Sequence, residues 1–289
     1  MADRSPLALV SPDQPVQQCR DILAQQLGAA AQELAGRNPN IHGARKQLKR
    51  ARATLRLLRP AIGDEPYRHE NIAARDAARP LSRARDEEVL SHALDGLVER
   101  FGSAASGVHF RHTAHALLAR QQHDDIKAAL KRAMTRARAW QLDDAGWDCI
   151  ETGLRSTYRR ARHALRRGRK DRATEVLHEW RKQTKYLWHQ LQLLTPLAPG
   201  PIHEMADEFH QLADYLGDEH DLAVLRDRVS GTITELIDRR REELQDKAFA
   251  LGERLYADNA KTFVHGLRKE WSAWAHKRTA RHLTAISAQ

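Results

Sequence analysis

Ile41-His42-Gly43-Ala44-Arg45-Lys46-Gln47-Leu48-Lys49 and Leu177-His178-Glu179-Trp180-Arg181-Lys182-Gln183-Thr184-Lys185 carry one pattern, His-x-x-Arg-Lys-x-x-Lys. The copies lie 136 residues apart, and the offset holds downstream, where Leu55, Leu57, Leu58 and Pro60 match Leu191, Leu193, Leu194 and Pro196. At an offset of 135, Leu81, Asp86, Val89 and Leu90 match Leu216, Asp221, Val224 and Leu225. Similarity at a fixed period is the mark of a repeated structural unit. A helix turns about 100° per residue, so His42, Arg45, Lys46, Lys49, Arg52 and Arg56 share one arc. Ile41, Ala44, Leu48, Ala51, Leu55 and Leu58 share the opposite arc. In the second copy His178, Arg181, Lys182 and Lys185 stand opposite Leu177, Trp180, Leu187, Leu191 and Leu194. Each copy predicts a helix with an apolar back and a cationic front.

Helices with a solvated charged face usually interleave acids, because like charges repel along one face. Residues 41–59 carry seven Lys/Arg and no Asp/Glu, and residues 155–170 carry eight and none. A bound polyanion would relieve that repulsion; a merely solvated face is the competing reading. Before the second copy, Arg155, Arg159, Arg162 and Arg166 fall on one helical face, a second wall for the same anion. Arg20, 135 residues before Arg155, gives the first half a thinner counterpart. The guanidinium fork suits phosphate because it meets two oxygens at once, whereas Lys offers a compact charge. His42 and His178 sit in the cationic rows, where an imidazole either donates to phosphate or bonds a neighbouring helix. An adjacent polyanion would raise their pKa values.

Across 289 residues, Lys+Arg is 48 and Asp+Glu 38, giving a net charge of +10 and a pI near 9.9. The surplus favours an anionic partner. Val, Ile, Thr and aromatic residues are sparse and no stretch alternates with period two, so the pattern predicts an all-α protein of about twelve helices. Asn38-Pro39 reads as the start of the first motif helix and Pro60 as its end. The second runs from Asp171 to Thr195, closed by Pro196. Residues 1–14 read as a loose tail, 15–140 as the first helical repeat and 141–289 as the second. Gly102 to Gly107 is the clearest flexible break. No run is long enough to span a bilayer. Cys19 and Cys149 are too few for a disulfide framework or a zinc site, which fits a reduced cytoplasmic setting.

Two further turns repeat: Arg85-Asp86-Glu87-Glu88-Val89-Leu90 and Leu216-Gly217-Asp218-Glu219-His220-Asp221-Leu222-Ala223-Val224-Leu225. With the paired His-x-x-Arg-Lys-x-x-Lys helices they resemble the CHAD domain, the conserved-histidine α-helical domain. The likeness runs from about Pro15 to the Trp271-x-x-Trp274 region. It implies two pseudo-twofold-related helical bundles around a basic central channel that binds inorganic polyphosphate, and a place at polyphosphate granules in a bacterial cytoplasm. With the helical faces read above, the candidate polyphosphate-binding residues are His42, Arg45, Lys46, Lys49, Arg52, Arg56, Arg155, Arg159, Arg162, Arg166, His178, Arg181, Lys182 and Lys185. One departure is Trp188, where the family often has Arg and the first copy keeps Arg52. The Glu-x-Glu-x-Lys signature of the CYTH triphosphate-tunnel enzymes, which often accompany this domain, does not occur, which favours a binding module standing alone.

The remaining constellations are weaker. Asp86 and Asp221 read as helix N-caps or as residues that orient channel cations. Residues 201–221 hold seven Asp/Glu and no Lys/Arg, and most should face away from the anion. His109-x-x-His112-x-x-His115 places imidazoles within reach of one another without a fixed carboxylate beside them, so no metal site is expected. His123-Asp124 matches the dyad of all-helical HD phosphohydrolases, with His109 or His112 and Asp143 or Asp144 as further ligands. No phosphate loop or nucleophile elbow is present, and the expectation is a non-catalytic protein without a cofactor. Nucleic acid is the weaker partner, since aromatic residues make up 6% and few accompany the basic rows for base stacking. The sequence carries no indication of an oligomeric state.

Overall fold

The computed structural model describes residues 7–83, 86–105, 120–143 and 146–287. Among these, ten α-helices and two short 3-10 turns occur, and no strand. In chain order the helices are α1 (Pro15–Glu33), α2 (Ile41–Ile62), α3 (Asp64–Arg83), α4 (Asp86–Phe101) and α5 (Arg120–Ala139). Then follow α6 (Gly146–Lys170), α7 (Thr174–Leu194), α8 (Pro199–Arg226), α9 (Ile233–Leu255) and α10 (Ala260–Ser287).

The motif helices are α2 and α7, and their apolar backs are buried as the periodicity predicts. Ala44, Leu48, Ala51, Leu55 and Leu58 line the core from α2. Leu177, Trp180, Leu187, Leu191 and Leu194 line it from α7. Each fully buried Leu contributes about 1.5–3 kcal/mol, so these faces orient both helices strongly. A single cluster joins them to Leu23 and Leu27 of α1, Leu154 and Tyr158 of α6, and Phe209 and Leu212 of α8. The core thus runs through the repeat boundary expected at residues 140–141. Gln17 of α1 also reaches across, donating to the Leu142 carbonyl (3.0 Å), while Arg20 donates to the Trp140 carbonyl on its own side of the boundary (3.2 Å). A second cluster sits apart, where Leu90 and Leu97 of α4 meet Leu222 and Leu225 of α8 and Ile233, Ile237 and Leu244 of α9.

Helix boundaries differ from the sequence reading at several points. Asn40, not Asn38, caps α2, its side chain accepting from Gly43 N at 2.9 Å, and Pro39 precedes the cap. Pro60 lies inside α2, which runs on to Ile62 and stops at Gly63, φ 80°. A proline in the last turn removes a single intrahelical hydrogen bond, so the helix passes it. Asp171 lies before α7 and accepts from Ala173 N at 2.9 Å, while Pro196 falls in the 3-10 turn Thr195–Leu197. The tail assignment is corrected for residues 7–14. Leu9 is fully buried and its N–H donates to Leu193 O at 2.9 Å, so the segment is docked against the end of α7. Residues 1–6 lie outside the described residues, as do 106–119, which include Gly107 of the flexible break. Asp221 lies well inside α8, so it does not cap a helix N-terminus. Asp86 opens α4, and its side chain is outside the described residues.

Close approach between the halves depends on a small residue. At Gly153 of α6 an added Cβ would stand 2.7 Å from Leu57 Cα of α2. Cys149, one turn earlier, turns its Sγ to Leu57 O at 3.6 Å. The α10 helix closes against α6 through stacked Trp147 and Trp271, centroids 4.9 Å apart, and through Arg268, which pairs with Asp148 and Glu151. No described helix is long and apolar enough to cross a membrane.

Candidate functional site

The two cationic helices meet. Gln190 of α7 is fully buried and donates to Ala53 O of α2 (3.0 Å) and to Thr157 Oγ1 of α6 (3.1 Å). Those bonds pin α2, α6 and α7 at one point, and the cations gather around it. His189, also buried, is held at Nδ1 by Gln192 Oε1 at 3.1 Å. Burial, opposed by that bond and aided by Arg50, Lys185 and Lys49, pushes its pKa down to about 3. Lys49 and Lys185, the last residues of the two motifs, thus act on one imidazole from opposite helices.

Further along α2, the Arg56 guanidinium lies 3.6 Å above the Tyr186 ring of α7, and Arg52 lies 5.7 Å from the same ring. Cation–π contact of this kind holds a guanidinium in place without neutralising it. Arg56 also donates to Arg52 O (2.7 Å), and Arg52 Nε donates to Asn71 Oδ1 of α3 (3.1 Å). Burial lowers the Arg56 pKa, Tyr186 and Tyr67 oppose this, and Arg52 and Arg160 add to it. Arg50 and Arg56 each keep a buried Nε with no acceptor among the described residues. Such a donor is costly to leave unpaired and suits an incoming oxygen.

The N-terminal end of α7 faces α8 instead. His178 and His220 rings stand 4.5 Å apart. His178 is exposed and His220 half-buried, yet the protein that displaces water around each ring pushes both pKa values down to about 4; His178 also feels His220, Arg181 and Lys182, and His220 feels Arg181 and Arg241. Arg181 packs so closely on Gly217 that a Cβ there would lie 3.3 Å from the guanidinium, and its Nε is buried without an acceptor among the described residues. Lys182 pairs with Glu179. On α2, His42 and Lys46 are exposed and Arg45 is half-buried. Of the acidic stretch 201–221, Glu219 is buried and taken up by Arg241 (2.7 Å) and Gln245 (3.0 Å). The Asp218 pKa is raised by burial, Asp214 and Asp221, with Arg240 and Arg181 opposing, so one carboxylate of this stretch does stand within reach of the motif.

The α6 row divides. Arg155, Arg159 and Arg166 are exposed, but Arg162 turns to the end of α9, donating to Tyr256 O (2.9 Å) and Ala257 O (3.3 Å). It satisfies carbonyls that a helix C-terminus leaves open. Arg159 joins Arg160, His163 and Arg167 along a cavity of about 780 Å³ between α6 and α7. Its other wall is Glu175, Val176, Glu179 and Gln183. Sequence reasoning singles out Arg159 alone of these cations and passes over Arg50, His189 and His220. Arg160, His163 and Arg167 lie on the flank of the α6 row, and only the position of α7 makes that flank a wall.

Trp188, at the position matching Arg52, stacks with His189 (4.3 Å) and His210 (3.9 Å), so stacked rings stand where the first copy has a cation. His123 and Asp124 lie on α5; His123 Nε2 is buried with no partner among the described residues, and Asp124 pairs with Lys127 at 2.6 Å. His109, His112, His115 and Asp144 lie outside the described residues. Among the described residues no three His, Cys, Asp or Glu side chains are grouped to hold a metal ion.

The family model described as the CHAD domain matches residues 17–230, from α1 to just beyond the end of α8. The match ends well short of Trp271 and Trp274, so α9 and α10 lie outside it. No curated protein and no solved structure matches the chain. Since the match takes in most of the 289 residues, and with them both motif helices and both repeated turns, the chain belongs to the CHAD domain family.

Proposed function

We propose that this protein binds inorganic polyphosphate, without transforming it, along a basic channel walled by its two repeats, 15–140 and 141–289. The observation that carries the reading is the convergence of Lys49, Arg50, Arg52 and Arg56 of α2 with Lys185 of α7 around His189 and Tyr186. Family membership adds to it, since the family is associated with polyphosphate. A thin unbranched chain with a charge on every unit suits cations spread along two crossing helices. The binding energy comes largely from released counterions, so affinity falls steeply with salt. A cation row holds ground and transition states alike, and uniform binding does not speed chemistry. A polyphosphate granule is the cellular setting this reading implies.

Competition at fixed salt among long-chain polyphosphate, pyrophosphate, heparin and duplex DNA tests the binding. Polyphosphate is expected to win, because pyrophosphate is too short to span both helices and the bulkier heparin and duplex DNA do not fit a channel sized for a thin chain. Equal affinity for duplex DNA would defeat the channel. Catalysis is tested on the same preparation. The length distribution of polyphosphate incubated with the protein, with or without divalent metal, is expected to stay unchanged. Metal-dependent shortening that disappears in His123→Ala/Asp124→Ala would replace this reading with the HD phosphohydrolase one.

A further inference from the structure

The cavity between α6 and α7 has two chemically opposite walls. The helices are joined by the three residues Asp171–Ala173, and Gly168 packs against Leu177, so they run antiparallel. Arg159, His163 and Arg167 therefore stand roughly level with Gln183, Glu179 and Glu175. Each set repeats at four-residue spacing, which keeps it on one helix face. Among the described residues no ion pair links the two rows; Glu179 is engaged instead by Lys182 and by Gln183 Nε2 at 2.6 Å. That last bond fixes the amide's orientation. Gln183 is only 6% exposed, and its Oε1 is buried with no donor among the described residues.

A phosphate chain at neutral pH presents acceptor oxygens alone. It satisfies the arginine wall, but it adds negative charge beside Glu175 and Glu179, of which only Glu179 has a cation, Lys182, and it offers no donor to the Gln183 oxygen. The α7 wall asks for a cation. Hard divalent ions take one or two carboxylates and fill the rest of their shell with phosphate oxygens and water. This wall supplies two carboxylates and one amide oxygen, and among the described residues no three His, Cys, Asp or Glu are grouped to hold a metal ion, which leaves positions in the shell for phosphate oxygens and water.

We propose that this cavity takes phosphate and a divalent cation together, the phosphate on Arg159, Arg160 and Arg167 and the cation on Glu175, Glu179 and the Gln183 side-chain oxygen. The inference rests on the polyphosphate reading and specifies the form in which the polymer is held there. A cation on Glu179 releases Lys182 for phosphate, so metal and polymer each tighten the other's binding.

The test is titration with polyphosphate of defined length, in K+ alone and in K+ with millimolar Mg2+ at equal ionic strength. It compares wild type with Glu175→Gln and with Glu175→Gln/Glu179→Gln. Mg2+ is expected to tighten wild-type binding by roughly fivefold or more, the lower end of typical coupling between two ligands. The double variant keeps or improves its affinity in K+ and loses the gain from Mg2+; the single variant, at an exposed position, loses part of it. At a plain row of cations Mg2+ competes for the phosphate and weakens binding. Weakening by Mg2+ of equal size in wild type and double variant overturns the proposal while leaving polyphosphate binding intact. Failure of wild type to bind in K+ at low salt sinks the functional reading, and this inference with it.

Discussion

Arg162 and His189 illustrate how a residue's neighbours redirect its chemistry. By helical spacing Arg162 shares one anion-binding row with Arg155, Arg159 and Arg166, yet its guanidinium closes the C-terminus of α9. Arg162→Ala is expected to cost about 1–2 kcal/mol in denaturant unfolding, because two carbonyls lose a charged donor. It should lower polyphosphate affinity less than Arg159→Ala does; the reverse order would return Arg162 to the binding row. His189, His178 and His220 have pKa values pushed from 6.5 to about 3, 4 and 4, with loss of water around the ring the first cause in each. Between about pH 6.5 and 4 the unfolded chain takes up protons that the folded chain refuses, so stability is full above that window and falls as pH drops through it. Thermal melts from pH 7 to pH 4.5 without ligand are expected to shift downward, and His189→Gln to flatten the trend. Added polyphosphate should protect, since a nearby polyanion favours the imidazolium. A melting temperature independent of pH across this range would contradict the suppressed protonation of the three rings.

At the scale of the element, the crossing of α2 and α6 depends on the missing side chain of Gly153. Gly to Ala within a helix ordinarily stabilises by about 0.5–1 kcal/mol. Here the new methyl would stand 2.7 Å from Leu57 Cα and 2.9 Å from Arg56 O, backbone atoms that cannot swing away. Overpacking costs about 1–3 kcal/mol, so the clash decides the sign. Gly153→Ala is expected to lower the unfolding midpoint and to weaken polyphosphate binding, because Arg56 moves with its backbone. Gly96→Ala on α4, with nothing within 4 Å, is the control and should raise the midpoint. The same element view accounts for the divided α6 row: α9 and α10 approach one flank and α7 the other, so one arc of arginines meets two different surroundings.

For the whole molecule, two helices whose motifs lie 136 residues apart in the chain contribute to the one site proposed above. Arg45→Ala/Lys49→Ala and Arg181→Ala/Lys185→Ala are each expected to weaken polyphosphate binding strongly. Each should also lower the log–log salt slope by about two, since two phosphates are no longer neutralised by a side-chain cation. Neither pair lies on an apolar face, so no core cavity opens, and the ligand-free melting temperature should hold or rise as repulsion is relieved. Wild-type affinity in both double variants would make the motif structural. Weaker binding in one alone would place the polymer on one half, a result that Trp188 in place of a second Arg makes worth measuring.

The periodicity of the chain by itself determined the all-helical class, the buried faces of α2 and α7 and the cationic fronts opposite them. The reason is local: a side chain's azimuth on a helix follows from residue number alone. Family membership was legible for the same reason, since both motifs lie within single helices. Only the tertiary structure decided which flank of each helix meets which neighbour. It turned Arg162 toward α9, made Arg160, His163 and Arg167 a cavity wall, and enclosed His189 among cations from two helices. Those outcomes depend on crossings set by distant contacts, Gly153 on Leu57 and Gln190 on Ala53, and periodicity within one helix carries no information about the helix that packs beside it.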